Sequence, residues 1–258
     1  MTFETVLTDV AEGIGTITLN RPDKYNTFSS RLARDLNGAL NAMEADEAVR
    51  VVVVKGAGKA FSTGIDISEF PGKSPSEYQA WISSMDDMHL TIADMGKPVI
   101  AMVHGYAVAN GAGLMAAADF AFVSESAKIG TTAINVGLLC TGPIIPMSGT
   151  LGKKKTLEML LAGDMIDAAE AHRLGLVNRV VPDDALEAET MAFAKQLAGK
   201  SPMALQMGKA FYYRMIDMPY RQRFALNAEV FARLCTTEDA AEGVAAFSEK
   251  RAPQWKGK

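Results

Sequence analysis

Two continuous apolar runs constrain the fold of this chain most strongly. They are RVVVVK at Arg50–Lys55 and PVIAMV at Pro98–Val103. A strand that is apolar at every position, rather than at alternate positions, is buried on both faces. Apolar residues at helical spacing predict a helix over Pro75–Met95, between the two runs. The order strand, helix, strand favours a right-handed crossover and therefore a parallel sheet.

The rest of the chain adds further strands and helices. Alternating apolar and polar residues predict a β-hairpin from Val6–Val10 and Gly13–Leu19, and Phe120–Val123 is typical of a third buried strand. Beyond Gly142 the pattern is almost wholly helical. The predicted helices are Ser29–Ala45, Lys154–Leu161, Asp184–Ala198 and two or three more within Pro202–Lys250. We therefore predict an α/β fold with a helical C-terminal third.

Composition excludes several classes of protein. The chain has 26 Lys and Arg against 30 Asp and Glu, a net charge of −4, so no basic face is expected for nucleic acid. Its two cysteines are too few for a disulfide framework. No apolar run approaches the about 20 residues that span a bilayer, and the first residues lack a secretory pattern. We expect a cytoplasmic protein that binds neither nucleic acid nor membranes.

Two glycine-rich segments each end a buried strand and then start a helix. They are KAFSTGIDISEF at Lys59–Phe70 and HGYAVANGAGL at His104–Leu114. Such turns allow close backbone approach or positive φ, and tight packing alone could explain one of them. Two turns after different strands could also direct their amides at one point and form an oxyanion hole. Neither segment has the GxxxxGKS/T pattern or a dinucleotide-binding GxGxxG pattern.

The same two segments resemble the paired signatures of the enoyl-CoA hydratase/isomerase (crotonase) family. AFSTGIDI is similar to the family's AFxxGxDI, and KPVIAMVHGYAVANGAGL is similar to KPVIAAVxGxAxGGGxxL. Three further segments also resemble the family, in the same order along the chain. They are LNRPDKYNTFS, LLAGDMIDAAEAHRLGLVNRVVP and AFSEKRAPQW. The resemblance therefore extends over nearly the whole chain.

This resemblance implies an architecture and a ligand. The fold would be a crotonase-like spiral of ββα units, with an acyl-CoA-binding core over residues 1–200 and a C-terminal helical trimerisation region over 201–258. The assembly would be a homotrimer or a dimer of trimers. The substrate would be an acyl-CoA thioester, with coenzyme A as part of the substrate and no tightly bound cofactor or metal.

The resemblance also assigns site residues. The oxyanion amides map to Ile65 and Asn110, and each such donor typically contributes about 3–4 kcal/mol to transition-state stabilisation. The implied coenzyme A contacts are Lys24, Ser62, Gly64, Ile67, Gly111, Phe247 and Lys250, with Phe247 and Lys250 reaching a neighbouring subunit.

The chain departs from the hydratase pattern at both catalytic glutamates, where it has Gly113 and Ala133. Water addition needs a base to orient the water and an acid to supply the α proton. We therefore favour another enolate reaction, such as decarboxylation or C–C cleavage. The alternatives are a slow hydratase or isomerase that uses Asp86 or a bound water, and an acyl-CoA-binding protein without turnover.

Three other side chains are candidates for a replacement group. Asp86 and His89 are three residues apart and share one face of the predicted helix, which is either reactive or a solvated acidic surface. The resemblance places Cys140 in a segment where decarboxylating members carry reactive side chains, although a small buried cysteine is the usual alternative. The side chain of Asn110 either serves the backbone conformation or contacts the substrate.

Overall fold

The computed structural model describes residues 3–258, which form nine strands and ten α-helices. The strands are β1 (Val6–Ala11), β2 (Ile14–Leu19), β3 (Val51–Gly56), β4 (Val99–Val103), β5 (Tyr106–Val108), β6 (Phe120–Ser124), β7 (Lys128–Gly130), β8 (Met165–Asp167) and β9 (Arg179–Val181). The helices are α1 (Ser30–Ala45), α2 (Pro75–Asp94), α3 (Asn110–Ala117), α4 (Thr141–Ser148), α5 (Lys153–Ala162), α6 (Ala168–Arg173), α7 (Leu186–Ala198), α8 (Pro202–Met215), α9 (Tyr220–Cys235) and α10 (Glu238–Glu249).

The main sheet has the strand order β1-β2-β3-β4-β6-β9, and a second sheet has the order β5-β7-β8. Strands β1 and β2 form the predicted antiparallel hairpin, and the other pairs of the main sheet are parallel. Val52 and Val54 of β3 pack into one hydrophobic cluster, whereas Val51 and Val53 pack into another on the opposite face. The prediction that this run is buried on both faces is confirmed.

The two long N-terminal helices begin at residues that satisfy their free amides. The Ser29 side chain accepts a hydrogen bond from the amide of Leu32 at the start of α1. At α2, Ser74 and Glu77 form a reciprocal capping box, and Pro75 occupies the first helical position. Helix α2 therefore has a fixed start, and its buried stripe packs against α1 and α3. That stripe is Trp81, Met85, Met88 and Ile92.

The prediction that the chain is almost wholly helical beyond Gly142 is wrong at two places. Strand β9 lies there and pairs in parallel with β6, and strand β8 pairs antiparallel with β7. Each has three residues, which is too short to show the alternation that identifies a strand. The short strands β5 and β7 were not predicted, for the same reason.

The sheet brings the two glycine-rich turns together. Val52 of β3 pairs in parallel with Val99 of β4, so both strands end at the same edge of the sheet. Beyond that edge the turns form their own ladder, because Ser62 donates to the Tyr106 carbonyl over 3.1 Å and accepts from the Val108 amide over 2.9 Å.

Helix α8 is anchored to the sheet by a buried ion pair. The Lys209 ammonium lies 2.7 Å from the Asp119 carboxylate, which also accepts from the Val99 amide at 2.7 Å and the Tyr213 hydroxyl at 3.2 Å. Burial raises the pKa of Asp119 and lowers the pKa of Lys209, and their attraction opposes both shifts. No helix within residues 3–258 is long and apolar enough to cross a membrane.

The predicted boundary between residues 200 and 201 falls between α7 and α8. Several large apolar side chains of α8, α9 and α10 are exposed on the single chain. They are Tyr212, Tyr220, Phe224, Phe231, Val244 and Phe247. That this region assembles a trimer stays a prediction.

We expect Lys209→Met to destabilise the protein by about 3 kcal/mol, because it leaves the Asp119 carboxylate buried without its counter-ion. Urea unfolding followed by circular dichroism measures the loss. The matched control is Lys195→Met, which breaks an exposed pair with Glu12 and should have no measurable effect. Equal losses in the two variants would show that α8 does not depend on the buried pair.

Candidate active site

The two glycine-rich turns touch at Gly64 and Ala109. Gly64 has φ +98°, and a Cβ atom there would lie 3.0 Å from the Cβ of Ala109. A second close approach occurs at Gly111, where a Cβ would collide with the Ser62 carbonyl oxygen. The close approach of the two turns therefore requires glycine at both positions. This requirement applies equally to tight packing and to an oxyanion hole, so it does not distinguish the two interpretations.

The amides of Ile65 and Asn110 are free at this contact. Phe28 donates to the Gly64 carbonyl and accepts from the Asp66 amide, both over 2.7 Å. These two hydrogen bonds lie on either side of the Ile65 amide and do not involve it. Asn110 is the first residue of α3, where the amide has no acceptor within the helix. Within residues 3–258 neither amide donates to a protein atom. The site therefore presents two unused donors, one of them at the positive end of a helix.

Ala109 holds a strained conformation directly before Asn110. Its backbone angles are φ +49° and ψ −116°, a region that residues with a Cβ rarely adopt. The conformation is fixed because the Ala109 amide donates to the Gly130 carbonyl over 2.8 Å. The angle ψ of Ala109 sets the direction of the next peptide N–H, so the strain is stored directly beside the free Asn110 amide.

At Gly113 the space for a side chain is already occupied. A Cβ there would lie 2.8 Å from the Cα of Pro143 and 3.0 Å from Nε2 of His89. Helices α2 and α4 thus fill the volume that a glutamate at this position would need. At the other hydratase position, Ala133 is half-buried in a short 3-10 turn, Thr132–Val136.

Asp86 and His89 form a pair beside Gly113. The Nδ1 atom of His89 lies 3.7 Å from Oδ1 of Asp86, and the carboxylate packs on Gly142, where a Cβ would lie 2.6 Å from its Cγ. Both side chains are partly buried, whereas Asp87 is exposed. A solvated acidic surface therefore describes Asp87 but not this pair.

The surroundings shift the protonation of both groups. Burial, and then the nearby Asp87 charge, raises the pKa of Asp86 to about 6. Burial lowers the pKa of His89 to about 4, so its imidazole is neutral at pH 7. Nε2 of His89 is buried and has no hydrogen-bond partner among the described residues. Shifted pKa values of this kind in a partly buried pair are typical of functional sites.

A cavity of about 1020 Å³ opens next to the pair, between α2, α3, α4 and α8. Asp86 and His89 line it together with mainly apolar side chains. These include Leu90, Ala93, Ala116, Ile145 and Leu205. Apolar walls with a few polar groups are typical of small-molecule sites.

The structure favours the simpler interpretation of Cys140. The residue is 3% exposed and immediately precedes α4. Burial raises the pKa of its thiol, so the thiol stays protonated and is a poor nucleophile. The Asn110 side chain is also buried.

Two of the predicted coenzyme A contacts lie beside the first turn. Lys24 ends a 3-10 turn and is exposed, and the next residue, Tyr25, accepts from the Thr63 hydroxyl over 3.3 Å. Ile67 is 71% exposed. Ser62, in contrast, is fully buried, and its hydroxyl donates to the Asn26 carbonyl over 2.8 Å. Its backbone groups bond to Tyr106 and Val108, so Ser62 has no unused polar group for a ligand.

Two further predicted coenzyme contacts lie at the C-terminal end of α10, whereas Gly64 and Gly111 belong to the contact between the two turns described above. Phe247 is 87% exposed, and Lys250 caps the helix with φ +56°. Both side chains are open to solvent on the single chain, as a contact with a neighbouring subunit requires. All of these coenzyme contacts stay predictions.

Sequence reasoning missed two residues of this site. Pro143 contacts Gly113 from α4, and nothing in its local sequence signals that contact. Ala109 is different, because it stands where the signature GxAxGGG has a glycine, and this substitution signals a residue with a Cβ at positive φ.

Comparison with solved structures defines the fold class. A crystal structure of enoyl-CoA hydratase from Mycobacterium smegmatis is similar at a TM-score of 0.95 and 38% identity, covering 98% of this chain and 99% of that one. The human enoyl-CoA hydratase domain-containing protein 3 is similar at a TM-score of 0.94 and 31% identity, covering 98% and 100%. The chain therefore has the crotonase fold, as predicted.

Comparison of sequences defines the family. The model for enoyl-CoA hydratase/isomerase matches residues 9–258. A probable enoyl-CoA hydratase of Rhizobium meliloti is 36% identical over 257 residues, 99% of each chain. The mouse enoyl-CoA hydratase domain-containing protein 3, mitochondrial, is 32% identical over 245 residues, 95% of this chain and 82% of the mouse protein. The chain belongs to the enoyl-CoA hydratase/isomerase family, which is a family of enzymes.

We expect Ala109→Gly to stabilise the protein by about 1 kcal/mol, since glycine adopts positive φ without strain. Thermal unfolding measures the change as a higher Tm. Ala112→Gly, inside α3 and not at positive φ, is the control and should lower Tm. A lower Tm for Ala109→Gly would show that this turn is not strained.

We expect Gly113→Ala to cost about 1–3 kcal/mol, because the new methyl group overlaps Pro143 and His89. The control is Gly208→Ala in α8, where a Cβ meets nothing within 4 Å and should add helix stability. Chemical denaturation of both variants measures the difference. If Gly113→Ala is as stable as the parent, the site has room for a larger residue at position 113.

Proposed function

We propose that this protein binds an acyl-CoA thioester and stabilises its enolate between the backbone amides of Ile65 and Asn110. The reaction we favour is an enolate reaction other than hydration, such as decarboxylation or C–C cleavage. The observation that carries this proposal is the pair of unpartnered amides on two turns that touch at Gly64 and Ala109.

The amides suit a thioester because charge develops on its oxygen as the enolate forms. Donors that are fixed by backbone contacts need no reorganisation when the charge appears, and each is worth about 3–4 kcal/mol. The amide of Asn110 also lies at the N-terminus of α3, where the helix dipole favours negative charge. Neither contribution depends on the side chain at position 65 or 110.

The surroundings of Gly113 support a reaction other than hydration. Hydration needs acid and base groups on the substrate, and the space for a glutamate at this position is filled by His89 and Pro143. In a decarboxylation the substrate's C–CO₂ bond breaks and its electron pair forms the enolate. Only one proton then has to reach the α carbon, so the reaction requires less of the protein.

Slow hydration or isomerisation is the second candidate. It is supported by the names of the relatives and by Asp86, a carboxylate with its pKa near 6 beside Gly113. An acyl-CoA-binding protein without turnover is the third candidate, supported by the absence of glutamate at positions 113 and 133. All three share the same thioester ligand.

We further propose that residues 201–258 assemble a homotrimer or a dimer of trimers. The exposed apolar side chains of α9 and α10 support this assembly, since single soluble chains rarely expose contiguous apolar patches. Phe247 and Lys250 would then face the coenzyme A of a neighbouring subunit.

The first test is mass spectrometry of an acyl-CoA panel incubated with the protein in D₂O. The panel contains saturated, 2-enoyl, 3-enoyl, malonyl-type and 3-keto thioesters. We expect α deuterium or a mass change in at least one compound. In an Ala109→Gly background, Asn110→Pro removes one donor and should lower that rate by about 10²–10³-fold. Proline is compatible with the first position of a helix, so the fold is retained.

Asn110→Ala in the same background is the matched control, because it keeps the amide and removes only the side chain. It should retain most of the rate. Binding without any change in the panel would contradict the enolate reaction and favour the binding protein. Equal rates for the proline and alanine variants would contradict the oxyanion role of Asn110.

A further inference from the structure

The Asp86–His89 pair lies where an enolate between the two amides would need a proton-transfer group. Gly113 is three residues beyond Asn110, and such residues share a helix face about 5–6 Å apart. Nε2 of His89 lies 3.0 Å from the position of a Cβ at Gly113. The α carbon of a thioester is bonded to its carbonyl carbon. A thioester oxygen at the Asn110 amide therefore places that carbon within about one helical turn of Nε2 of His89.

We propose that Nε2 of His89 carries the proton to and from the α carbon, and that Asp86 is the positioning residue for its imidazole. This inference rests on the proposed function and adds the group that handles the proton. It applies to each candidate reaction, because an enolate has to be protonated whichever bond breaks to form it.

The tautomer of His89 follows from its neighbours. Nδ1 faces the Asp86 carboxylate, so the Nδ1 proton belongs on that side and the Nε2 lone pair is directed toward Gly113. The separation of 3.7 Å is longer than a hydrogen bond, and such contacts tighten in catalytic sites when substrate binds. The buried Nε2 has no hydrogen-bond partner within residues 3–258, so the protein leaves its lone pair unused.

The step balances without another reactant. The Cα–H bond breaks, and its electron pair forms the C=C bond of the enolate while the thioester oxygen takes the negative charge. The proton moves to Nε2 of His89, and the Asp86 carboxylate stabilises the imidazolium. In the reverse direction the proton returns to the α carbon, and after exchange with D₂O a deuteron returns instead.

The protonation of Asp86 gives the step a pH dependence. Below about pH 6 the Asp86 carboxyl is protonated and no longer stabilises the imidazolium, so the rate should rise as pH increases through about 6. Other titratable groups lie next to the pair or line its cavity. They are Asp87, Asp119, Lys209, Tyr212, Tyr213 and Asp217.

The test measures α-proton exchange of butanoyl-CoA in D₂O from pH 5 to pH 8 for the full-length protein. We expect Asp86→Asn and His89→Gln to lower the exchange rate by about 10²-fold while butanoyl-CoA binding changes little. The Asp86→Asn variant should also lose the rise near pH 6. His172→Gln is a matched control at an exposed position and should keep the rate and the pH profile. Asp87→Asn should keep the rate at pH 8 but move the rise to lower pH, because it removes the charge that helps to raise the pKa of Asp86.

The outcomes separate this inference from the proposed function. The proton-transfer role of the pair is overturned if the Asp86→Asn and His89→Gln variants catalyse α-proton exchange at the parent rate while the Asn110→Pro variant does not. An unchanged pH profile in Asp86→Asn overturns the positioning role of that residue. If the parent protein binds butanoyl-CoA but does not exchange its α proton, the proton-transfer role of the Asp86–His89 pair is overturned. If the acyl-CoA panel is also unchanged, the enolate reaction is overturned as well.

Discussion

The close approach of two backbone turns is the constraint on which the site depends. Gly64 meets Ala109, and Gly111 meets the Ser62 carbonyl, because the parallel pairing of β3 and β4 ends both strands at one edge. No side chain fits at either glycine. The amides of Ile65 and Asn110 are consequently held by the backbone, and their direction does not depend on the side chains that these residues carry.

A backbone-held anion site leaves the proton-transfer groups free to change. A glutamate at position 113 would project from α3, whereas the glycine at that position leaves the space to residues of α2 and α4. His89 and Pro143 occupy the space, and Gly142 in turn admits the Asp86 carboxylate. Gly113 and Gly142 belong together with the pair, because a larger residue at 113 or 142 would displace it. The glycine at position 113 and the placement of the Asp86–His89 pair are thus one packing solution.

Much of the fold could be predicted from the sequence because its signals are local. The runs at Arg50–Lys55 and Pro98–Val103 are strands, and Ser74 starts α2 with a capping box. Strand β9 could not be predicted, since three residues carry no periodicity and their pairing with β6 depends on distant chain. The shared face of Asp86 and His89 followed from their spacing, but their burial depends on Gly142, far along the chain.

Two side-chain pairs line the same cavity, Asp119–Lys209 and Asp86–His89, and they differ in how well their hydrogen bonds are satisfied. Asp119 accepts from Lys209, Tyr213 and the Val99 amide, so it stabilises the position of α8. Asp86 has no hydrogen-bond donor within residues 3–258 other than the approach of His89, whose Nε2 is also unpartnered. An unsatisfied buried polar group costs about 1–3 kcal/mol. Folded proteins retain such a cost chiefly at functional sites, and this is the physical reason to place proton transfer at Asp86 and His89 rather than at Asp119 and Lys209.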